Sequence, residues 1–304
     1  MLAGHLLKAD LALSNHIIIR YIACCQACAA ISRHCRILES NAAMRNFFDI
    51  ENLASPTTLN ADTLFGQVAQ LLGRAIVSGA YKTGDLLPNE ESLKVDISVS
   101  RTAYREAVKI LTAKGMVEAR PKSGTRVAPR ENWNLIDPDV LIWQLSMNPS
   151  EAFIRELFEL RRIIEPKAAQ LAAQRRRPEH LAILDEAMML MENERPYSEV
   201  SIRADLDFHR VIFTSAGNPA LACLAHVVVA TIQWTMLLQA TRERESFQGP
   251  VWDHRRVRNA IAEQNGDLAA AMMEVLIIES LDNTLVELAK KQANLPLLNH
   301  TNKD

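Results

Sequence analysis

Apolar residues Leu64, Val68, Leu71, Leu72, Ala75 and Ile76 recur at the spacing of one helix face, which predicts a helix over 62–78 stopped by Gly79. Asn89, after Pro88, can cap a short second helix running to Val95. A third helix is predicted from Ser100 to Lys114, with Ala103, Ala107, Ile110 and Leu111 as its apolar seam. Val117–Arg120 and Thr125–Ala128 flank a turn at Pro121-Lys-Ser-Gly124 and read as a β-hairpin. Three helices followed by a hairpin is the order of a winged helix-turn-helix. Trp133 to Pro149 reads as a linker, and only helical periods follow it. Phe153, Leu157, Leu160, Ile164, Ala168 and Leu171 mark one helix, which Pro166 is expected to bend. Others are predicted over 178–194, 198–216, 219–245, 250–265 and 267–291. The expected fold is mainly α: an N-terminal winged helix-turn-helix joined to an antiparallel bundle of six or seven helices. The expected boundaries are an uninterpreted extension at 1–60, a DNA-binding domain at 61–130, a linker at 131–149, an all-helical domain at 150–292 and a tail at 293–304.

A length of 304 residues accommodates these two domains. With 48% hydrophobic and 23% charged residues, the composition excludes a disordered tail protein, a collagen and a polytopic membrane protein. The net charge of −2 conceals an asymmetry. Residues 60–130 carry 11 basic and 7 acidic side chains, whereas 131–304 carry 18 and 25. A basic block beside an acidic remainder points to a polyanion-binding module joined to something else. Residues 211–241 contain no Asp, Glu, Lys or Arg, but Gly217-Asn218-Pro219 interrupts them, so a buried core helix is expected there rather than a membrane span. Ile17–Ile31 is apolar but broken by Arg20, and no export signal is read. Cys25-x-x-Cys28 with His34 and Cys35 has only partial metal spacing. Cysteines crowded in this way are not a disulfide framework, so a reducing cytoplasm is expected. Met44 would open a plausible shorter chain.

The third predicted helix carries the first candidate chemistry. Arg101, Arg105 and Lys109 recur every four residues away from the apolar seam, with Thr102 beside them. Such a face can enter a major groove and meet base edges and phosphates, although charge spacing alone also fits a solvated basic helix. Lys122, Ser123 and Gly124 stand at the hairpin tip, with Arg120 and Arg126 at its base. In the acidic half, Asp205 and His209 are four residues apart on one helix face, and His254 is a candidate third ligand from another helix. Arg161 and Glu165 share the same spacing. They form either a helix-stabilising salt bridge or an arginine turned inward to grip a ligand carboxylate.

Asp85-Leu-Leu-Pro-Asn-Glu-Glu-Ser-Leu93, Val99-Ser-Arg-Thr-Ala-Tyr-Arg-Glu-Ala-Val108, Gly115-Met-Val-Glu118 and Arg120-Pro-Lys-Ser-Gly-Thr-Arg-Val127 together resemble the GntR superfamily of bacterial transcription regulators. Phe158-Glu-Leu-Arg-Arg-Ile-Ile-Glu-Pro-Lys-Ala-Ala169, Ala204-Asp-Leu-Asp-Phe-His-Arg-Val-Ile212, Ala216-Gly-Asn-Pro219 and Asp253-His-Arg-Arg-Val-Arg-Asn-Ala-Ile261 resemble its FadR subfamily. The resemblance implies DNA contacts from Ser100, Arg101, Thr102 and Arg105 with Gly124 at the wing tip, and the charge pattern adds Lys109 on the same face and Lys122 at the hairpin tip as DNA-binding candidates. It also implies a helical domain that dimerises and binds an effector, here a small carboxylate or sugar acid near Arg161 and Asn218. Glu91 stands where members often carry a basic DNA-contacting residue, so that contact is expected to be missing. Many members hold a divalent metal with one Asp and three His. Asp205, His209 and His254 match the first three positions, while the fourth falls on Leu276, or on Ile278 if two residues are inserted. Zn²⁺ or Ni²⁺ in an incomplete site is the expectation, with water or effector oxygens completing the shell. Glu279 is near but has no spacing argument behind it.

The reading is a homodimeric repressor on palindromic operator DNA, with no catalytic residue and no membrane partner. Two alternatives accompany it. One is a metal enzyme anchored to nucleic acid, with Glu165 or Glu279 as general base. The other is a constitutive nucleoid-type DNA protein.

Overall fold

The computed structural model describes residues 59, 63–90, 92–93, 99–120, 123–240 and 248–293. The Cys25–Cys35 cluster, Met44, Glu91, Lys122 and the end of the expected second helix lie outside them. The chain divides into two compact units at Met147–Asn148.

In the first unit, α1 spans Leu64–Val77 and α2 spans Arg101–Ala113. Thr63 caps α1 by accepting from Gly66 N–H, and Ser100 caps α2 by accepting from Ala103 N–H. Between them the Asn89 carboxamide accepts from Ser92 N–H at 3.0 Å, as expected of a capping residue. After α2 the chain reverses at Gly115, whose φ of +72° favours glycine, and an added Cβ there would meet Asn132 O at 2.0 Å. Strands β1 (Val117–Arg120) and β2 (Gly124–Val127) then pair antiparallel, Val117 opposite Val127 and Arg120 opposite Gly124. Segment 84–87 adds a third edge through Leu87 N–H to Thr125 O and Val127 N–H to Asp85 O.

The stretch read as a linker is instead structured. A 3-10 turn occupies Arg130–Asn132, and α3 spans Pro138–Ser146, begun by Asp137 accepting from Asp139 and Val140 N–H. The reading failed because Pro138 stands at a helix start, where its missing N–H costs nothing, rather than at a break. Val140 and Trp143 of α3 enter the same core as Leu72, Ile76, Tyr104, Ala107 and Leu111. Trp143 lies so close to α1 that a Cβ on Gly73 would fall 2.2 Å from its ring. Lys114, at the end of α2, is buried between Asp137 (2.6 Å) and Asp139 (2.7 Å) and so ties α2 to the start of α3.

The second unit is all helical among its described residues: α4 (Glu151–Arg175), α5 (Pro178–Asn193), α6 (Glu199–Ser215), a single turn α7 (Pro219–Ala222), α8 (Ala225–Gln239), α9 (Gln248–Ala262) and α10 (Gly266–Ala293). Helix α4 runs through Pro166 without interruption. The single helix expected from Pro219 is divided at Cys223-Leu224. The segment Pro219–Gln239 is long and apolar enough to cross a membrane by length and composition. In the fold α8 packs against α6 and α10 and buries Val227, Val228, Ile232 and Met236 among them. Helix α4 packs against α6, α9 and α10. The charged seam described below is formed on its inner face.

Candidate functional site

Helix α2 turns its apolar seam inward and its basic side outward. Ala103, Tyr104, Ala107, Val108 and Leu111 are buried, while Ser100, Arg101, Thr102, Arg105 and Lys109 are exposed. The Arg101 side chain is 76% exposed, with its Nε 3.0 Å from Glu90 Oε1. Lys109 pairs with Glu106 one turn back. Ser100 uses its hydroxyl as the helix cap. Gly124, at the wing, has φ +79°, and an added Cβ would strike Leu86. Exposed donors on a helix whose opposite face is locked into a core can enter a groove without loss of packing.

The second unit brings the other candidates together at its centre. Asp205 and His209 come from α6 and His254 from α9, and one ligand atom of each lies within 4.8 Å of the other two. His254 Nε2 is 3.2 Å and His209 Nε2 is 3.4 Å from Asp205 Oδ1. The Phe208 ring packs edge-on to both imidazoles and limits their rotation. Beneath them, on α4, Glu165 is fully buried and uses both oxygens. Oε1 accepts from Arg161 Nε at 2.6 Å, and Oε2 meets His209 Nδ1 at 2.6 Å. Burial alone would push the Glu165 carboxyl up, but Arg161 and His209 outweigh it and hold the group below the usual carboxylate range. Asp205 is likewise held low, burial being overcome by His254, His209 and Arg161.

A carboxylate on Nδ1 places the proton there and leaves Nε2 of His209 as a lone-pair donor. Two imidazole nitrogens and a carboxylate suit a divalent transition ion. The three residues therefore fit such a group, with one protein ligand fewer than a closed site. Leu276 of α10 lines the same cavity and Ile278 is exposed, so in the ungapped register the fourth position is an apolar side chain on the cavity wall. Glu279 also lines the cavity but is not one of the converging ligands. Its hydrogen bond to Asp253, followed by partial burial, raises its carboxyl above the ordinary value.

The cavity, about 60 Å³, is bounded by Arg161, the three ligand candidates, and Tyr197, Thr235, Gln239, Ser280 and Asn283. Arg161 is 1% exposed and stacks over the Phe158 ring at 4.8 Å. Its Nη1 is buried without a hydrogen-bond partner among the described residues. Of the two sequence readings of Arg161–Glu165, the pair is a salt bridge, and Arg161 also lines the cavity. Asn218 does not line this cavity. It is an exposed helix cap accepting from Ala220 and Leu221 N–H, so its expected effector role is corrected to a structural one. The bond from Glu165 to His209 was missed. Its signal was a charged pair set among Ile164, Ala168 and Ala169, on the face that should be apolar.

A winged helix-turn-helix joined to a helical unit with a charged internal cavity is the build of a ligand-responsive DNA-binding regulator. Residues 64–127 match the family model for bacterial regulatory proteins of the gntR family, and residues 156–278 match the FCD domain. The HTH-type transcriptional regulator YieP of Escherichia coli is 36% identical over 217 residues, spanning 69% of this chain and 90% of that protein. The galactonate operon transcriptional repressor of Escherichia coli is 31% identical, spanning 69% and 91%. The solved structure of Lar, which controls the Listeria monocytogenes agr system, matches with a TM-score of 0.50 and 20% identity over 74% of this chain and 97% of that one. The chain belongs to the GntR family of transcription regulators, with an FCD effector-binding domain.

Proposed function

We propose that this regulator represses its target as a homodimer on palindromic DNA and is released when a small carboxylate, such as a sugar acid, enters the helical unit. Arg101, Thr102 and Arg105 meet base edges, while Ser100, Lys109, Lys122 and the backbone at Gly124 meet phosphates. Asp205, His209 and His254 hold a divalent ion, Zn²⁺ or Ni²⁺, whose remaining places are open to water or to ligand oxygens. The ion, when bound, supplies a positive centre that attracts and orients a carboxylate. The observation that carries the effector reading is Arg161, which lines the same cavity and whose buried Nη1 has no hydrogen-bond partner among the described residues. A buried charged donor left unsatisfied is costly, and a carboxylate oxygen would satisfy it. The name of the galactonate operon repressor, a relative, adds support for a sugar acid.

Mobility shifts on a duplex selected by the protein itself, with a panel of hexonates and short hydroxy acids and with or without Zn²⁺ or Ni²⁺, test this. At least one acid should weaken operator binding about a hundredfold, a difference of about 2.7 kcal/mol between the two states. Binding indifferent to every acid, with the ion supplied, would refute the effector reading. Binding indifferent to DNA sequence would refute the regulator.

A further inference from the structure

We propose that Glu90 is a specificity-determining residue that positions Arg101 for base reading, an inference that rests on the DNA face proposed above. Arg101 is the first residue of α2, and the first turn of that helix contains no acidic side chain. A cation at a helix N-terminus opposes the positive end of the helix dipole. The missing negative charge comes from the preceding loop, where Glu90 Oε1 lies 3.0 Å from Arg101 Nε. That loop is anchored on both sides of Glu90. Leu87 N–H donates to Thr125 O of the wing at 2.8 Å, and the Tyr104 hydroxyl donates to Pro88 O at 2.6 Å. On the far side Asn89 holds Ser92, and Leu93 is buried in the core. The Glu90 side chain is 25% exposed against 76% for that of Arg101, so the more fixed partner is Glu90 and the steered one is the guanidinium.

Two consequences follow from this arrangement. Holding Nε restricts the rotamers of a long side chain, so the guanidinium meets a base edge with less ordering left to lose. The carboxylate also offsets one positive charge on the DNA face, which weakens sequence-independent attraction to phosphates. Both effects favour operator over random duplex.

The experiment compares the wild-type chain with Glu90→Gln, Arg101→Ala and the double variant. Probes are a duplex selected from a random library by the wild-type protein, its single-base-pair variants, and a scrambled duplex of equal length. Glu90→Gln should bind scrambled DNA several-fold tighter, with a log–log salt slope steeper by about 0.9. Its discrimination at the base pair read by Arg101 should fall about tenfold. In the Arg101→Ala background, the same change should leave discrimination as it is. Glu90→Asp, which keeps the charge but shortens the reach, should lose discrimination while keeping the wild-type salt slope. The inference is overturned if Glu90→Gln leaves discrimination intact, or if it lowers discrimination equally at every base pair. If Arg101→Ala itself leaves every base preference unchanged, the failure belongs to the proposed DNA face.

Discussion

Replacing Glu165 by Gln removes one negative charge and almost no volume from the centre of the helical unit. The carboxylate is fully buried and meets both Arg161 Nε and His209 Nδ1 at 2.6 Å. Opposite unit charges about 4 Å apart at an effective dielectric of about 20 attract by about 4 kcal/mol. Breaking a buried pair by deleting one member costs about 3–5 kcal/mol, since Arg161 keeps its charge and has nowhere to move. At about 2–4 °C per kcal/mol for a unit of this size, the melting temperature of the second unit should fall by about 6–20 °C. The same substitution leaves one acceptor oxygen where Arg161 Nε and His209 Nδ1 each need one, so the His209 ring is no longer fixed when that oxygen stays with Arg161, and Zn²⁺ affinity should fall about 10- to 100-fold. Differential scanning calorimetry and competition against a chelating dye measure the two effects. A loss under about 2 °C would mean that the pair is solvated and the charge argument wrong. An unchanged Zn²⁺ affinity would mean that Glu165 does not orient a ligand.

Trp143→Ala empties the contact with α1 in the first unit and should cost about 3–5 kcal/mol, read as a lower first melting transition. Lys114→Met strands Asp137 and Asp139 beside an apolar side chain. It should destabilise the first unit by about 3 kcal/mol in urea unfolding, whereas an effect below about 1 kcal/mol would show that water replaces the ammonium. Arg105→Ala should weaken operator binding and erase the preference at one base pair, whereas a salt slope lower by about 1 with every base preference kept would show that it meets phosphate instead. Leu276→His should tighten Zn²⁺ binding at least tenfold by restoring a fourth protein ligand, and an unchanged affinity would put that register in error.

The two described helices and the hairpin of the winged unit were legible because each carried a local signal. A capping Ser100, a seam every three to four residues and a Gly-containing hairpin turn all agree with the final packing. Segment 131–149 was not legible, because its Pro and Asn residues resemble a tether. What makes α3 part of the core is tertiary: Trp143 against Gly73, and Lys114 reaching Asp137 and Asp139 from 23 and 25 residues away. The ligand candidates Asp205 and His209 were readable as a helical i, i+4 pair. The contact between His209 and Glu165 spans 44 residues and two helices, so the local pattern marks Glu165 as a charge on an apolar face but does not name its partner. Asn218 misled for the opposite reason, since a capping motif before Pro219 satisfies its own backbone and says nothing of a ligand.

The charge content of the internal site gives the strongest argument for what it binds. Apolar side chains of equal volume would in general make a bundle centre at least as stable, so buried ionisable groups there are a cost that calls for a use. Arg161 contributes one positive charge, and the ionised carboxylates of Glu165 and Asp205 contribute two negative ones. With the two imidazoles in the neutral form that binds metals, Arg161, Glu165 and Asp205 sum to one excess negative charge, and Asp253 and Glu279 on the same cavity, with Arg256 beside Asp253, do not make the site positive. A monoanionic acid alone would add to that excess. A divalent cation reverses it to a single positive charge, and one carboxylate then brings the balance to zero. Neutrality is worth most where water is scarce, so cation and acid should bind with positive coupling, each raising the affinity of the other by the same factor. Acid binding equally strong in chelator and in Zn²⁺ would break this chain of reasoning at its second step.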